Sequence, residues 1–378
     1  VADNDLSKVI PKLLAQGLLA LRQNAVMPRI VNGDYQNMAA QKGDTINVPI
    51  PSAIAVNAVA PGATPPTDTQ AIAPDSVPIA MDQWMEAPFF LTDKDLMEVM
   101  NGTIPMQASE AVKALANNVD SYLLGLYTKF YGIVGTPGTT PFGSNHAEIT
   151  AARVLLNKQL APLGSRRFVF DPDCEGSALN LRAFTDASFT GDAQAINEGQ
   201  IIHKFGFDWH MDQNVKTHTP GTLADGTVNG AHATTGVKTI SIASTAGGTL
   251  KKGDIITLAG DTQTYAVGAD VTIGATSNAD VTISPGLQVA LSGSEAVTVT
   301  ASHVANLAFH RDAVAFANRP LADNTQGLGN LVQSAQDPKS GLVLRLEISR
   351  EHKRTRYAFD ILYGGNVVRP ELGVRVAG

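Results

Sequence analysis

The stretch from Thr103 to Tyr131 constrains this chain more than any other. At helical spacing, Ala108, Val112, Leu115, Val119, Tyr122, Leu126 and Phe130 fall in steps of three and four and make one continuous apolar stripe. Glu110, Lys113, Asn117, Asp120, Ser121 and Lys129 fill the other faces. Thr103 is placed to cap the start, Pro105 suits a first helical turn, and Gly132 marks the stop. At 1.5 Å per residue the rod is about 40 Å long, against a usual helix of about 11–12 residues. It cannot stand alone, because burying one stripe does not offset the entropy of fixing so much backbone. Something long must lie along it.

Residues 5–25 carry Leu6, Val9, Ile10, Leu13, Leu14, Leu18 and Leu21 at helical spacing, interrupted at Pro11. This amphipathic segment docks on its own domain or on a neighbouring subunit, and the sequence leaves both open. From Thr45 the period changes to two, with Ile46, Val48, Ile50, Ile54, Val56 and Ala58 on one parity and Pro49 and Pro51 on the other. A returning arm alternates likewise through Val77, Ile79, Met81, Met85, Ala87, Phe89 and Leu91. A Pro- and Gly-rich loop, Pro61 to Gln70, separates the arms. Fourteen residues of strand reach about 45 Å, whereas a 300-residue domain has a radius of gyration of about 19 Å. Such a hairpin is expected to project and to rest on another chain.

The next expected elements are a short helix near Asp93–Met100, a helix near His146–Ala161, a strand Arg166–Phe170, a helix Cys174–Phe184 and a strand Lys204–Val215. Residues 222–302 then lack Trp and Phe and repeat short alternating runs: Val237–Ile242, Asp254–Leu258, Thr262–Val267, Val281–Ser284 and Ala296–Thr300. Turn residues separate them, which predicts an inserted small β-barrel or sandwich. His303–Phe309 reads as a strand and His310–Asn318 as a helix. The chain ends in a second long hairpin, with Leu342 to Ile348 and Thr355 to Tyr363 alternating on either side of a polar turn. This pair is long enough to be the partner of the rod.

The 378 residues suggest two to three domains, and a net charge of −7 argues against non-specific nucleic-acid binding as the main task. The single cysteine, Cys174, excludes an internal disulfide framework and any multi-cysteine metal site. No secretory signal and no apolar run of 18 residues is present, so a soluble chain without a membrane segment is expected. A search for chemistry yields no catalytic, cofactor-binding or metal residue to assign. Asp171-Pro172-Asp173-Cys174-Glu175-Gly176 imitates a calcium loop, but Arg182 occupies the position that needs a bidentate carboxylate. A strand-to-helix turn capped by Asp173 is the simpler reading. Asp208, His210 and Asp212 share a strand parity, and with His203 they sustain a metal-dependent hydrolase only as a minor alternative. A sugar-binding adhesin built on the 222–302 block is another. The basic cluster Arg345–Arg356 reads first as a solvated hairpin tip, with contact to packaged nucleic acid or an acidic neighbour as the alternative.

Two stretches carry a family resemblance. One is Ala195 to Trp209, and the other is His303 to Ala317 followed by Tyr363 to Glu371. With the order of parts around them, they resemble the major capsid protein of tailed bacteriophages, the Hong Kong 97-type fold. The 222–302 block, with its Leu250-Lys251-Lys252-Gly253-Asp254-Ile255 run, is similar to the insertion domain of certain short-tailed-phage coat proteins. The resemblance implies an α+β chain with a helical arm (1–40), an extended hairpin (41–92), a peripheral domain with the spine helix (93–145), and an axial domain (146–221). It then implies an inserted β-barrel (222–302), an axial return (303–336) and long peripheral strands (337–378). It further implies self-assembly through pentamers and hexamers into an icosahedral shell around double-stranded DNA. Assembly would take place in the host cytoplasm with a scaffolding protein and a portal, and a decoration protein is a further partner. A nanocompartment shell is the nearest alternative. Expected assembly contacts are Leu13 on the arm, Pro65, Asp68, Trp84 and Glu86 on the hairpin, and Arg350, Lys353 and Arg354 at the terminal tip.

Some members of this family cross-link through a lysine on the hairpin. Here no Lys or Arg occurs between Lys42 and Lys94. Assembled particles are therefore expected to run on denaturing gels as a single species, without ladders of linked subunits.

Overall fold

The computed structural model describes residues 26–34, 45–51, 74–94, 103–186, 198–319, 321, 331–336 and 342–378. The amphipathic segment 5–25, most of the Asp93–Met100 helix and the centre of the first hairpin lie outside the described residues. Among the described residues no helix is long and apolar enough to cross a membrane.

A short helix α1 (Met27–Ile30) precedes strands β1 (Thr45–Ile50), β2 (Asp75–Ala80) and β3 (Gln83–Thr92). The rod is α2 (Thr103–Gly125), tightened into a 3-10 turn over Leu126–Lys129 and followed by β4 (Gly132–Gly135). Next come α3 (Ala147–Lys158), β5 (Arg166–Phe170), α4 (Pro172–Leu179), α5 (Arg182–Thr185), β6 (His203–Lys204), β7 (Phe207–Met211) and β8 (Thr217–His218). Eight short strands follow: β9 (Thr227–Val228), β10 (Thr239–Ser244), β11 (Gly248–Leu250), β12 (Ile255–Leu258), β13 (Thr264–Val267), β14 (Val271–Ile273), β15 (Ser277–Ser284) and β16 (Val297–Val299). The chain closes with β17 (His303–His310), β18 (Val314–Arg319), β19 (Leu331–Gln336), β20 (Val343–Glu351), β21 (Arg354–Val367) and β22 (Gly373–Ala377).

The rod has the partner its length demands. Strand β21 runs beside α2, where Tyr363 donates its hydroxyl to Asn118 and Tyr122 donates to the Gly365 carbonyl at 3.1 Å. The Tyr122 and Tyr363 rings meet edge to face at 5.2 Å. Val112, Leu115, Val119, Leu123 and Phe130 share one core with Leu344, Leu346, Phe359 and Ile361. The helix stops at Gly125 rather than running on to Tyr131. Gly is the weakest helix former after Pro, and the tighter turn beyond it places Tyr127 in a buried position.

The returning arm of the first hairpin is divided between two sheets. Strand β1 pairs with β2 from Thr45–Ala80 to Ile50–Asp75, but β3 leaves the hairpin and pairs with β21. Parity cannot reveal this switch, because Met81 and Asp82 continue the alternation straight across the break. Gly364 makes it physically workable: a Cβ there would lie 2.1 Å from the Ala80 carbonyl, so the hairpin root crosses β21 where no side chain stands. Ile46, Val48, Ile79 and Met81 pack at this crossing against Ala315, Ala317 and Leu362.

Of His310–Asn318, expected as helix, only Arg311–Ala313 makes a 3-10 turn, and the residues from Val314 form β18 instead. Val314 and Phe316 enter the main core while Ala315 and Ala317 enter the hairpin-root core, so both faces are apolar and the period of two is masked. The expected strand Lys204–Val215 contains β7 over Phe207–Met211, but it opens with a tight turn: β6 and β7 pair across Phe205-Gly206, both at positive φ. The expected Cys174–Phe184 helix is two helices, and the first starts at Pro172, so Asp173 lies in its first turn and Asp171 holds the cap position. A sheet in the order β4-β22-β17-β5-β7-β6 forms the mixed α/β body. Strands β9 to β16 form a six-stranded sheet, β16-β12-β13-β15-β10-β9, and a two-stranded one, β11-β14. Their apolar side chains, including Ile240, Ile242, Tyr265 and Val281, make a core separate from the main one.

Asp120 was expected on a polar face of the rod, and it is fully buried. Its carboxyl accepts the Val26 and Met27 backbone N–H groups at 3.1 and 3.0 Å, which ties α1 to α2. Burial, reinforced by Asp212 and only partly countered by those N–H groups, pushes its pKa from 3.8 up to about 7. The folded chain holds this proton more tightly than the unfolded chain does. The resulting stabilisation is complete below the unfolded pKa near 4 and is lost as pH rises through about 7. Asp120→Asn, which cannot ionise, is therefore expected to remove this loss of stability between pH 4 and 8 and so flatten the pH profile, read by urea denaturation.

Candidate assembly surfaces

The face of β3 that points away from α2 carries Trp84, Glu86, Pro88 and Phe90, whereas Met85, Ala87, Phe89 and Leu91 pack on the core. Trp84 is 47% and Phe90 60% exposed, a large apolar showing for one strand. Trp84 donates its indole N–H to Asp360 at 3.1 Å, and Asp360 also receives the Arg345 fork, with Nε at 2.8 Å from Oδ1. Asp360 is buried, so this Trp-Asp-Arg set stiffens the middle of the exposed face.

At the far end, the β20–β21 turn is fastened to the end of β3. Arg350 pairs with Asp93 at 2.6 Å, Arg356 with Glu86, and Arg354 with Glu351 while lying 5.0 Å over the Phe90 ring. The Asp93 backbone N–H donates to the Lys353 carbonyl at 3.1 Å, and Lys353 itself sits in the left-handed region at φ 56°. The basic cluster is thus largely neutralised within the chain; Glu351 is local, but Asp93 and Glu86 lie 257 and 270 residues upstream, out of reach of a reading by sequence neighbourhood. Of the expected contact residues, the structure brings Trp84, Glu86, Arg350, Lys353 and Arg354 onto this one unit. Leu13, Pro65 and Asp68 lie outside the described residues.

A second feature, missed from sequence, is the seam between the 222–302 block and the body. Tyr127 Oη lies 2.9 Å from His218 Nδ1, and His218 Nε2 lies 2.8 Å from Asp254 Oδ1. Asp254 Oδ2 also accepts the Gly221 and Lys251 backbone N–H groups at 3.0 and 2.8 Å. Burial pushes the Asp254 pKa up, but the His218 and backbone hydrogen bonds outweigh it and hold the carboxyl below its ordinary value. Arg375 is fully buried, donates to the Gly253 carbonyl at 2.7 Å and stacks 5.1 Å from the Tyr127 ring. Desolvation lowers its pKa to about 9. The block is bolted to the spine by buried charge as well as by the small apolar cluster Tyr131, Ile255 and Ala266.

The residues considered for chemistry do not converge. His203 Nδ1 lies 2.8 Å from Asp208 Oδ1 at the surface, His210 has a buried Nε2 without a protein partner, and Asp212 accepts the Asn214 backbone N–H at 2.8 Å. Among the described residues no group of three His, Cys, Asp or Glu side chains is placed to hold a metal ion. Cys174 is buried, with its thiol pKa pushed well above the ordinary value by desolvation.

No family model and no curated protein matches the chain. Solved structures do. One from Mycobacterium phage Che8 superimposes with a TM-score of 0.51 at 16% identity, covering 93% of this chain and 90% of that one. One from Gordonia phage Cozz gives 0.51 at 12% identity, covering 94% and 86%. The asymmetric unit of a bacteriophage PhiM1 mature capsid gives 0.49 at 10% identity, covering 94% and 87%. The Che8 and Cozz matches show that the fold is α+β of the Hong Kong 97 type.

Removing Asp360 takes away the fork acceptor of Arg345 and the acceptor of the Trp84 indole, whereas removing the Glu86 charge loosens an ion pair in water. Asp360→Ala is expected to lower stability by about 3 kcal/mol and Glu86→Gln by less than about 1, both measured by denaturation of the unassembled chain.

Proposed function

We propose that this chain is a major capsid protein, copies of which assemble through pentamers and hexamers into an icosahedral shell around the double-stranded DNA of a tailed phage. The observation that carries this reading is a fold shared over more than nine-tenths of the chain with the Che8 and Cozz phage structures. Two features of the molecule support it. The outer face of β3 leaves Trp84 and Phe90 exposed on a stiff support, as a repeated contact surface requires. The root of the first hairpin is clamped to β18 and β21, so a load on the hairpin would reach the main sheet directly.

The role is structural, not enzymatic. Assembly proceeds in the host cytoplasm with a scaffolding protein and a portal, and many moderate contacts per subunit supply the cohesion. Negative-stain microscopy of the purified, expressed chain is expected to show closed polyhedral particles. Dispersed single chains under conditions that favour assembly, with scaffold supplied, would overturn the reading.

A further inference from the structure

Where the end of the spine helix, the turn before β12 with the β13 end of the 222–302 block, and the end of β21 meet, a cavity of about 420 Å³ opens to the surface. Thr128, Val267, Val367 and Pro370 form much of its wall, and two lysines, Lys129 and Lys252, stand on it together. Lys129 is half-buried and donates its ammonium to Asn366 Oδ1. Burial and then repulsion by Lys252 hold its pKa below the ordinary lysine value. Among the described residues neither lysine forms an ion pair. Asp270 directs its carboxylate to the Lys252 backbone N–H at 2.7 Å, and Glu371, beside Pro370, acts on the Tyr131 phenol. Two ammonium groups thus share a partly desolvated hollow in a chain that has 28 basic against 35 acidic residues. A single carboxylate entering it relieves their repulsion and regains the ion pair each lacks.

The segment between β1 and β2 carries one such group. Asp68 is the only charged residue between Ile50 and Asp75, and it follows Ala63-Thr64-Pro65-Pro66-Thr67, small and apolar enough to lie against Val367 and Pro370. We propose that the hollow between Lys129 and Lys252 is a socket for the Asp68 carboxylate of a second copy of this chain. This deepens the shell reading and rests on it. The hairpin is then held on its neighbour by an ion-paired plug with a specific seat, beyond general overlap.

The test uses full-length chains. Lys252→Glu and Asp68→Lys, each checked for an unchanged thermal midpoint, are each expected to reduce the yield of closed particles on the order of tenfold, and the double exchange to restore it. In parallel, a Lys252→Cys, Asp68→Cys chain, whose only other cysteine is the buried Cys174, is expected to give ladders on non-reducing gels after mild oxidation of particles and none from dispersed chains. If wild-type chains form particles but both single reversals assemble normally and the cysteine pair does not link, the socket is refuted while the shell stands. Should the double exchange fail to rescue chains that keep their fold, the pairing is refuted as well. If wild-type chains form no particles, both readings fall.

Discussion

Everything in this molecule is referred to one contact, the packing of α2 along β21. A helix of this length with a single apolar stripe has no stability of its own, and a fourteen-residue strand needs cover on the face its odd-numbered residues present. Each solves the other's problem. Tyr363 and Tyr122 fix the register with their hydroxyls, on Asn118 and on the Gly365 carbonyl. The other parts attach to this pair at separate points. Strand β3 takes one edge of β21, β20 and β18 share the opposite edge in succession, the hairpin root crosses at Gly364, and the inserted block joins beyond the C-terminal end of α2.

Much of this arrangement was legible as pattern. The stripe at three- and four-residue spacing announced α2, and the alternations at Thr45, Val77, Leu342 and Thr355 announced strands. The physical argument that the rod needs a long companion also pointed to the right one. Pairing was harder to read. Parity says which face a residue takes but not which strand lies beside it, so one apparent arm concealed β2 and β3 with different partners. Strand β18 misled for another reason: with apolar residues on both faces, Val314 to Ala317 carry no period at all.

The polar features were the least legible. Asp120 looks like any surface acid until α1 covers it, and α1 comes from a different part of the chain. The seam network draws Tyr127, His218, His303 and Arg375 from four elements and Asp254 from the turn before β12, spread over most of the sequence, so no local motif betrays it. Its members include buried atoms without a protein partner, His303 Nε2 and Arg375 Nε and Nη2. Such a joint is expensive to build and equally expensive to half-open, which favours a block that is either fully seated or fully released.

The way the block enters and leaves the body has its own consequence. Strand β8 ends at His218 and β17 begins at His303, and those two residues face each other as an antiparallel pair. Ser302 reinforces the closure by donating its hydroxyl to the His218 carbonyl at 2.9 Å. The departing and returning chain are therefore already neighbours, and the intervening stretch keeps its own apolar interior. Topologically it is a cartridge: an ancestor could have acquired it, and a descendant could exchange it for a short turn, without rerouting one strand of the framework beneath.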